Sequence, residues 1–146
     1  MQVILHTNSF GTPSFQYAKD GDAGIDLQAF IEQSIVIRPN EVVLIPTGVQ
    51  VNMDTTQMAA LILPRSGLGH KKGLIMGNGT GVIDSGYQGV MQISAWNRSE
   101  TDILINPMER IAQVVFVPVL HITPVVVESF DTVTERGDTG FGSSGV

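Results

Sequence analysis

Short apolar runs separated by turn residues dominate this chain and set the first expectation. Residues 3–5, 25–30, 34–37, 42–45, 49–53, 58–63, 90–96, 103–105, 112–118 and 124–127 each read as a strand. Breaks such as Arg38-Pro39-Asn40, Pro46-Thr47-Gly48 and Asn106-Pro107 fall between them. Many short strands with regular turn signals predict an antiparallel all-β fold, a jelly-roll-like barrel or sandwich, rather than strands alternating with helices. No segment sustains a helical apolar period, so helix is minor. One short turn of helix is expected after Pro64-Arg65-Ser66, with Ser66 as its cap.

Runs 112–118 and 124–127 are apolar at nearly every position, so both faces need cover, from the core or from another chain. Val125-Val126-Val127 reads as an edge strand in want of a partner. Self-association is therefore expected. The division expected is a β-barrel body over residues 1–128 and a C-terminal arm with a Gly/Ser-rich lid over 129–146.

Composition narrows the function classes. The 146 residues suit one domain with one core. Eight Lys and Arg against 14 Asp and Glu give a net charge of -6, which argues against a nucleic-acid binder but leaves room for a small phosphorylated ligand gripped by a few arginines. With no cysteine there is no disulfide, thiolate metal site or thiol nucleophile, and His6, His70 and His121 show no metal spacing. Neither a signal peptide nor a membrane-length apolar stretch is evident, so no membrane association and a cytoplasmic location are expected.

Candidate chemistry concentrates in Gly77-Asn78-Gly79-Thr80-Gly81-Val82-Ile83-Asp84-Ser85-Gly86-Tyr87-Gln88-Gly89. Glycines at this density let backbone approach a ligand closely, and a carboxylate with an aromatic on one loop suits a flat ligand with proton chemistry beside it. The same residues equally read as a plain hairpin, Asp84 capping a turn and Tyr87 packing on the core. The tail from Arg136 to Val146 reads either as a flexible terminus or as a lid, with Gly/Ser backbone forming an anion nest, Arg136 adding charge and Phe141 a stacking face.

Five segments share this theme: Ala23-Gly24-Ile25-Asp26-Leu27, Pro64-Arg65-Ser66-Gly67-Leu68-Gly69, the loop 78–89, Glu109-Arg110-Ile111-Ala112-Gln113, and the tail 136–145. In this order and spacing they resemble the five motifs of the trimeric deoxyuridine triphosphatase (dUTP nucleotidohydrolase) family, its bacterial-type members above all. The resemblance implies a jelly-roll homotrimer whose three sites lie between subunits, each lid coming from a neighbour. The implied reaction is dUTP plus water giving dUMP and pyrophosphate, assisted by Mg²⁺. It would limit uracil incorporation into DNA and supply dUMP for dTMP synthesis.

The same resemblance assigns roles. Asp84 matches the carboxylate that orients a water toward the α-phosphorus; an aspartate is charged at neutral pH and able to do so. Asn78 matches the reader of the uracil edge, helped by backbone around Val82, Ile83 and Gln92. Tyr87 matches the aromatic under the deoxyribose that leaves no room for a 2′-hydroxyl. Arg65, Ser66 and Gly67 match the phosphate-holding segment, and Gln113 a polar contact near the triphosphate. Asp26 matches a carboxylate acting on Mg²⁺ through water, the ion being held mainly by the triphosphate. In the lid, Arg136 would meet the γ-phosphate, Phe141 would stack on uracil, and Gly142 and Ser143 would touch phosphate. Arg110 is expected to pair with a carboxylate.

Gln28, where many members carry Arg, is expected to remove a surface or interface charge. Gly79-Thr80 and Thr139 also depart from common patterns. The related dCTP deaminases carry a proton-shuttling glutamate where this chain has Ser94, which cannot shuttle protons for deamination. A binding protein that has lost catalysis would have little reason to keep Asp84, Arg65 and Arg136. No sizeable insertion offers a platform for an added regulatory partner.

Overall fold

The computed structural model describes residues 1–138. Among them the chain forms β1 Gln2–Leu5, β2 Ile25–Gln28, β3 Ile35–Ile37, β4 Val42–Pro46, β5 Val49–Asn52, β6 Met58–Pro64, helix α1 Ser66–Lys72, β7 Leu74–Met76, β8 Gly81–Ile83, β9 Gln92–Asn97, β10 Ile103–Ile105 and β11 Arg110–Pro118. Every ladder is antiparallel. The strands form a four-stranded sheet β2-β11-β6-β8, a three-stranded sheet β4-β9-β7, and the pairs β1-β5 and β10-β3. This is the jelly-roll-like all-β architecture expected from the spacing of the apolar runs. No helix among the described residues is long and apolar enough to cross a membrane.

Side-chain alternation explains where the polar residues point. In β2, Ile25 and Leu27 enter the core and leave Asp26 and Gln28 on the other face; in β5, Val49 and Val51 do the same for Gln50 and Asn52. β11 breaks the alternation because a bulge against β2 between Arg110 and Ala112 lets consecutive Ile111 and Ala112 both be buried. Alternation resumes with Gln113 partly exposed and Val114 buried.

Several expectations need correction. β7 and β8, three residues each, were not anticipated, and the glycine segment between them is not a hairpin. β7 pairs with β9 and β8 with β6, so residues 77–80 carry the chain from one sheet to another. Ser66 is the first residue of α1 rather than its cap; Arg65 holds the extended cap position and makes no side-chain cap bond. Gly73 ends the helix at φ 73°. In the run 112–118 both strand edges are paired, by β2 and β6, while Ala112 and Val114 are buried and Val115, Phe116 and Val117 stay partly exposed. Among the described residues the run 124–127 forms no ladder: after Val119 N–H donates to the Gln57 carbonyl, an arm carries Leu120, Ile122 and Val125–Val127 exposed, Val126 being 97% so.

Asn97 ties the end of β3 to the loop 98–102. Fully buried, it donates through Nδ2 to the carbonyls of Ile37 (2.8 Å) and Thr101 (2.7 Å) and accepts through Oδ1 from Ser99 N–H (2.9 Å) and Oγ (2.7 Å). Both donors and both lone pairs are used. Asn97→Ala is expected to lower stability by about 2–4 kcal/mol, because it strands the buried Ile37 carbonyl and frees the loop 98–102 that Asn97 holds. Denaturant unfolding measures this, and a loss below about 1 kcal/mol would contradict it.

Candidate active site

Two clusters of polar residues form at different ends of the four-stranded sheet. The first begins with Asp26, whose neighbours in β2 are core residues and which lies opposite Gln113 of β11. Arg65 follows the end of β6, beside the start of β11. Arg65 Nε donates to Asp26 Oδ1 at 2.8 Å, Arg110 Nη1 to Asp26 Oδ2 at 3.2 Å, and Arg65 Nη1 to the Arg110 carbonyl at 3.0 Å. One carboxylate thus aims two guanidiniums, and Arg110 has the carboxylate partner expected for it. Both arginines keep donors beyond those contacts, an arrangement suited to a phosphate.

These residues line a cavity of about 480 Å³ with Ser14, Gln16, Asp22, Gly24, Gln28, Ser66 and Gln113. Gln113 Nε2 donates to the Pro64 carbonyl at 3.0 Å, and its Oε1 lies where a Cβ on Gly24 would come within 2.7 Å. Gly24 is thus a close-approach glycine. Gln28 does more than delete a charge: Ser14 N–H donates to its Oε1 at 2.7 Å and its Nε2 donates to the Met108 carbonyl at 2.8 Å, tying two loops across the cavity floor. Ser14, Gln16 and Asp22 were missed, because they lie in an irregular loop with no periodicity to place them. On the other side of Arg65 and Ser66, a depression of about 320 Å³ is lined by Gly67, Leu68, Lys71 and Lys72.

As a metal site the first cluster is poor on its own. Both Asp26 oxygens already accept from arginine, and no group of three His, Cys, Asp or Glu side chains converges among the described residues. These residues fit a cation held mostly by a ligand's own oxygens, not one caged by protein.

The second cluster starts at Asn78 in the crossing between sheets, where Gly79 N–H donates to the Met76 carbonyl and Thr80 N–H to that of Asn78. Among the described residues β8 is the outer strand of its sheet, so one edge of its backbone has no strand partner there; Val82 is exposed and Ile83 packs against the core. Asp84 leaves β8 into solvent, and its carbonyl accepts Tyr87 N–H at 3.0 Å, closing a turn. Tyr87 Oη donates to the Val90 carbonyl at 3.1 Å, and its ring lies over Gly89, where a Cβ would come within 2.6 Å of Cζ. The hydroxyl end of the ring rests against Gly89, and the residue is 42% exposed. Gln92 is exposed at the start of β9, opposite Pro46.

Strand register separates the clusters. Gly81 faces Ile62 and Ile83 faces Ala60, so Asp84 departs near the level of Ala59, six residues along the chain from Arg65. At about 3.3 Å per residue this is on the order of 20 Å. One protomer therefore brings Asp26, Arg65, Ser66, Arg110 and Gln113 together but does not bring Asp84 and Tyr87 to them. Arg136 lies in the arm, where Gly137 N–H donates to the Thr134 carbonyl at 3.0 Å. Phe141, Gly142 and Ser143 lie outside the described residues.

Comparison with known proteins identifies the family. The sequence matches the family model described as dUTPase over residues 12–145. A protein named deoxyuridine 5'-triphosphate nucleotidohydrolase from Janthinobacterium sp. (strain Marseille) is 53% identical over 129 residues, covering 88% of this chain and 86% of that protein. One of the same name from Tolumonas auensis is 50% identical over 138 residues, covering 94% and 89%. The structure of the Staphylococcus bacteriophage 80alpha dUTPase with dUPNHPP superposes with a TM-score of 0.81 at 29% identity, covering 99% of each chain.

Proposed function

Because this chain belongs to the dUTPase family, we propose that its two polar clusters, donated by different copies, close around one dUTP molecule. The enzyme hydrolyses dUTP to dUMP and pyrophosphate. The observation that carries the shared-site reading is the register separation on the order of 20 Å between the Asp84–Tyr87 loop and Arg65. One protomer would have to bring its Asp84 to phosphates held by its own Arg65 across that distance; a second copy removes that demand.

The reading assigns each group a task its chemistry suits. Asp84 orients a water and takes its proton as the water oxygen attacks the α-phosphorus. The bond from that phosphorus to the bridging oxygen breaks, and pyrophosphate leaves with the electron pair. Arg65, aimed by Asp26, faces phosphate oxygens with Ser66 and Gly67, while Gln113 offers its amide carbonyl beside Gly24. Asn78 and the unpaired edge of β8 at Val82 and Ile83, with Gln92 nearby, read the uracil edge. Tyr87 underlies the deoxyribose, with its ring fixed by Val90 and Gly89 so that it excludes a 2′-hydroxyl. Arg136, Phe141, Gly142 and Ser143 close the site as a lid, the arm 129–146 reaching a neighbour's body 1–128.

Mg²⁺ fits as an ion carried by the triphosphate, with Asp26 acting through water; bound there it would neutralise phosphate charge. A homotrimer is supported by the exposed apolar arm at Leu120, Ile122 and Val126, which one chain leaves without cover. Deamination finds no support: Ser94 Oγ would sit 2.9 Å from a Cβ on Gly77, so the crossing packs tightly where a longer acid would have to fit.

Asp84→Asn is expected to keep nucleotide binding and slow turnover by about 10²–10⁴-fold; pyrophosphate release from dUTP, with and without Mg²⁺ and with dCTP, dTTP and UTP as controls, measures it, and near-normal turnover removes Asp84 from this role. Tyr87→Ala is expected to raise UTP hydrolysis relative to dUTP, an unchanged ratio contradicting the steric account. Truncation before Arg136 is expected to abolish most activity while sedimentation still reports a trimer. A monomer would make the tail structural instead.

A further inference from the structure

The loop that carries Asp84 and Tyr87 has little intrinsic stiffness. Residues 84–90 belong to no strand, Gly86 has open space around it, and Gly89 has no side chain of its own. Its far end is fastened where Met91 N–H donates to the Val49 carbonyl at 2.9 Å and Thr47 Oγ1 to the Met91 carbonyl at 2.9 Å. Between these ends a side chain from β5 reaches in. Gln50 Nε2 donates to the Gln88 carbonyl, next to Tyr87, at 2.6 Å.

The chemistry of that contact fixes the partners behind it. A carbonyl oxygen only accepts, so the amide NH₂ must face Gln88 and the amide oxygen must face away. That oxygen lies 2.7 Å from His6 Nε2, so His6 carries its proton on Nε2. His6 is seated in turn, by its backbone N–H donating to the Gly48 carbonyl at 2.9 Å and by an edge contact of its ring with Phe30 at 6.5 Å between ring centroids. The Phe30 ring rests on Gly48, where a Cβ would come within 2.7 Å.

We propose that Gln50, oriented by His6, is a positioning residue that sets the height of the Asp84–Tyr87 loop, so that base and sugar platform meet the substrate together. This rests on the roles given above to Asp84 and Tyr87. Gln50 touches no substrate; it acts through the Gln88 carbonyl.

Gln50→Met keeps length and loses both polar contacts. Gln50→Glu keeps the oxygen toward His6 and sets a second oxygen against the Gln88 carbonyl. Each is expected to lower kcat for dUTP about tenfold, with KM changed less, because a small displacement of a catalytic group weighs heavily on rate. The preference for dUTP over UTP should fall severalfold, an effect that a purely structural role would leave unchanged in a protein of unaltered melting temperature. His6→Phe, which keeps the ring against Phe30 and deletes the donor, should shift both readouts the same way by less. In the parent protein, ¹⁵N NMR should find the His6 proton on Nε2. Folded Gln50 variants with kcat and preference within about twofold of the parent, while Asp84→Asn is inactive, overturn the relay alone. A His6 proton on Nδ1 with bare Nε2 also overturns it. An active Asp84→Asn overturns the relay together with the site reading beneath it.

Discussion

The ladder between β6 and β11, running from Ala112 opposite Pro64 to Pro118 opposite Met58, is the constraint on which the rest depends. It sets Gln113 beside Asp26 on one flank and under the Pro64 carbonyl on the other, and it launches Arg65 from the end of β6 toward the Asp26 carboxylate. The same strand β6 gives β8 its only sheet partner among the described residues, so the level at which Asp84 leaves the sheet is fixed by pairing to Ala60. A one-residue slip would turn Gln113 into the core and Val114 outward. The Asp26–Arg65 cluster and the Asp84–Tyr87 loop are therefore tied to one register, though they stand far apart.

Electrostatics follow from that framework. In a chain of net charge -6, a cavity for a polyanion needs cations that stay aimed rather than many of them. Asp26 neutralises part of the arginine charge, yet holds both guanidiniums in fixed attitudes with donors left over. Preorganisation of this kind lowers the conformational loss on binding, at the expense of some attraction.

Much of this was legible in the sequence, and the exceptions have physical causes. β2 and β5 alternate strictly, and their polar members are the ones on the outer face, whereas in β9 the polar Asn97 is buried. β7 and β8 are three residues long, too short to show a period, and glycine at the start of β8 disguises it as a turn. Ser66 looked like a cap because capping is a property of side-chain type, whereas Arg65 takes the cap position through backbone conformation alone. Gln28 and Gln50 were unreadable for a common reason: each acts through partners distant in sequence, Met108 for one and His6 and Gln88 for the other. Motif spacing found Asp26, Arg65 and Gln113, which the fold gathers, and also Asp84 and Tyr87, which it keeps away from them.

The arm beyond Val119 has a consequence for the life of a newly made chain. Its greasiest stretch, from Leu120 through Val127, faces outward once the barrel has formed. In the trimer proposed above a sibling would shelter that stretch, so a freshly synthesised subunit would be adhesive until then, for an interval that shortens as expression rises. Assembly becomes the step at which abundance, rather than sequence, decides between a productive particle and a clump.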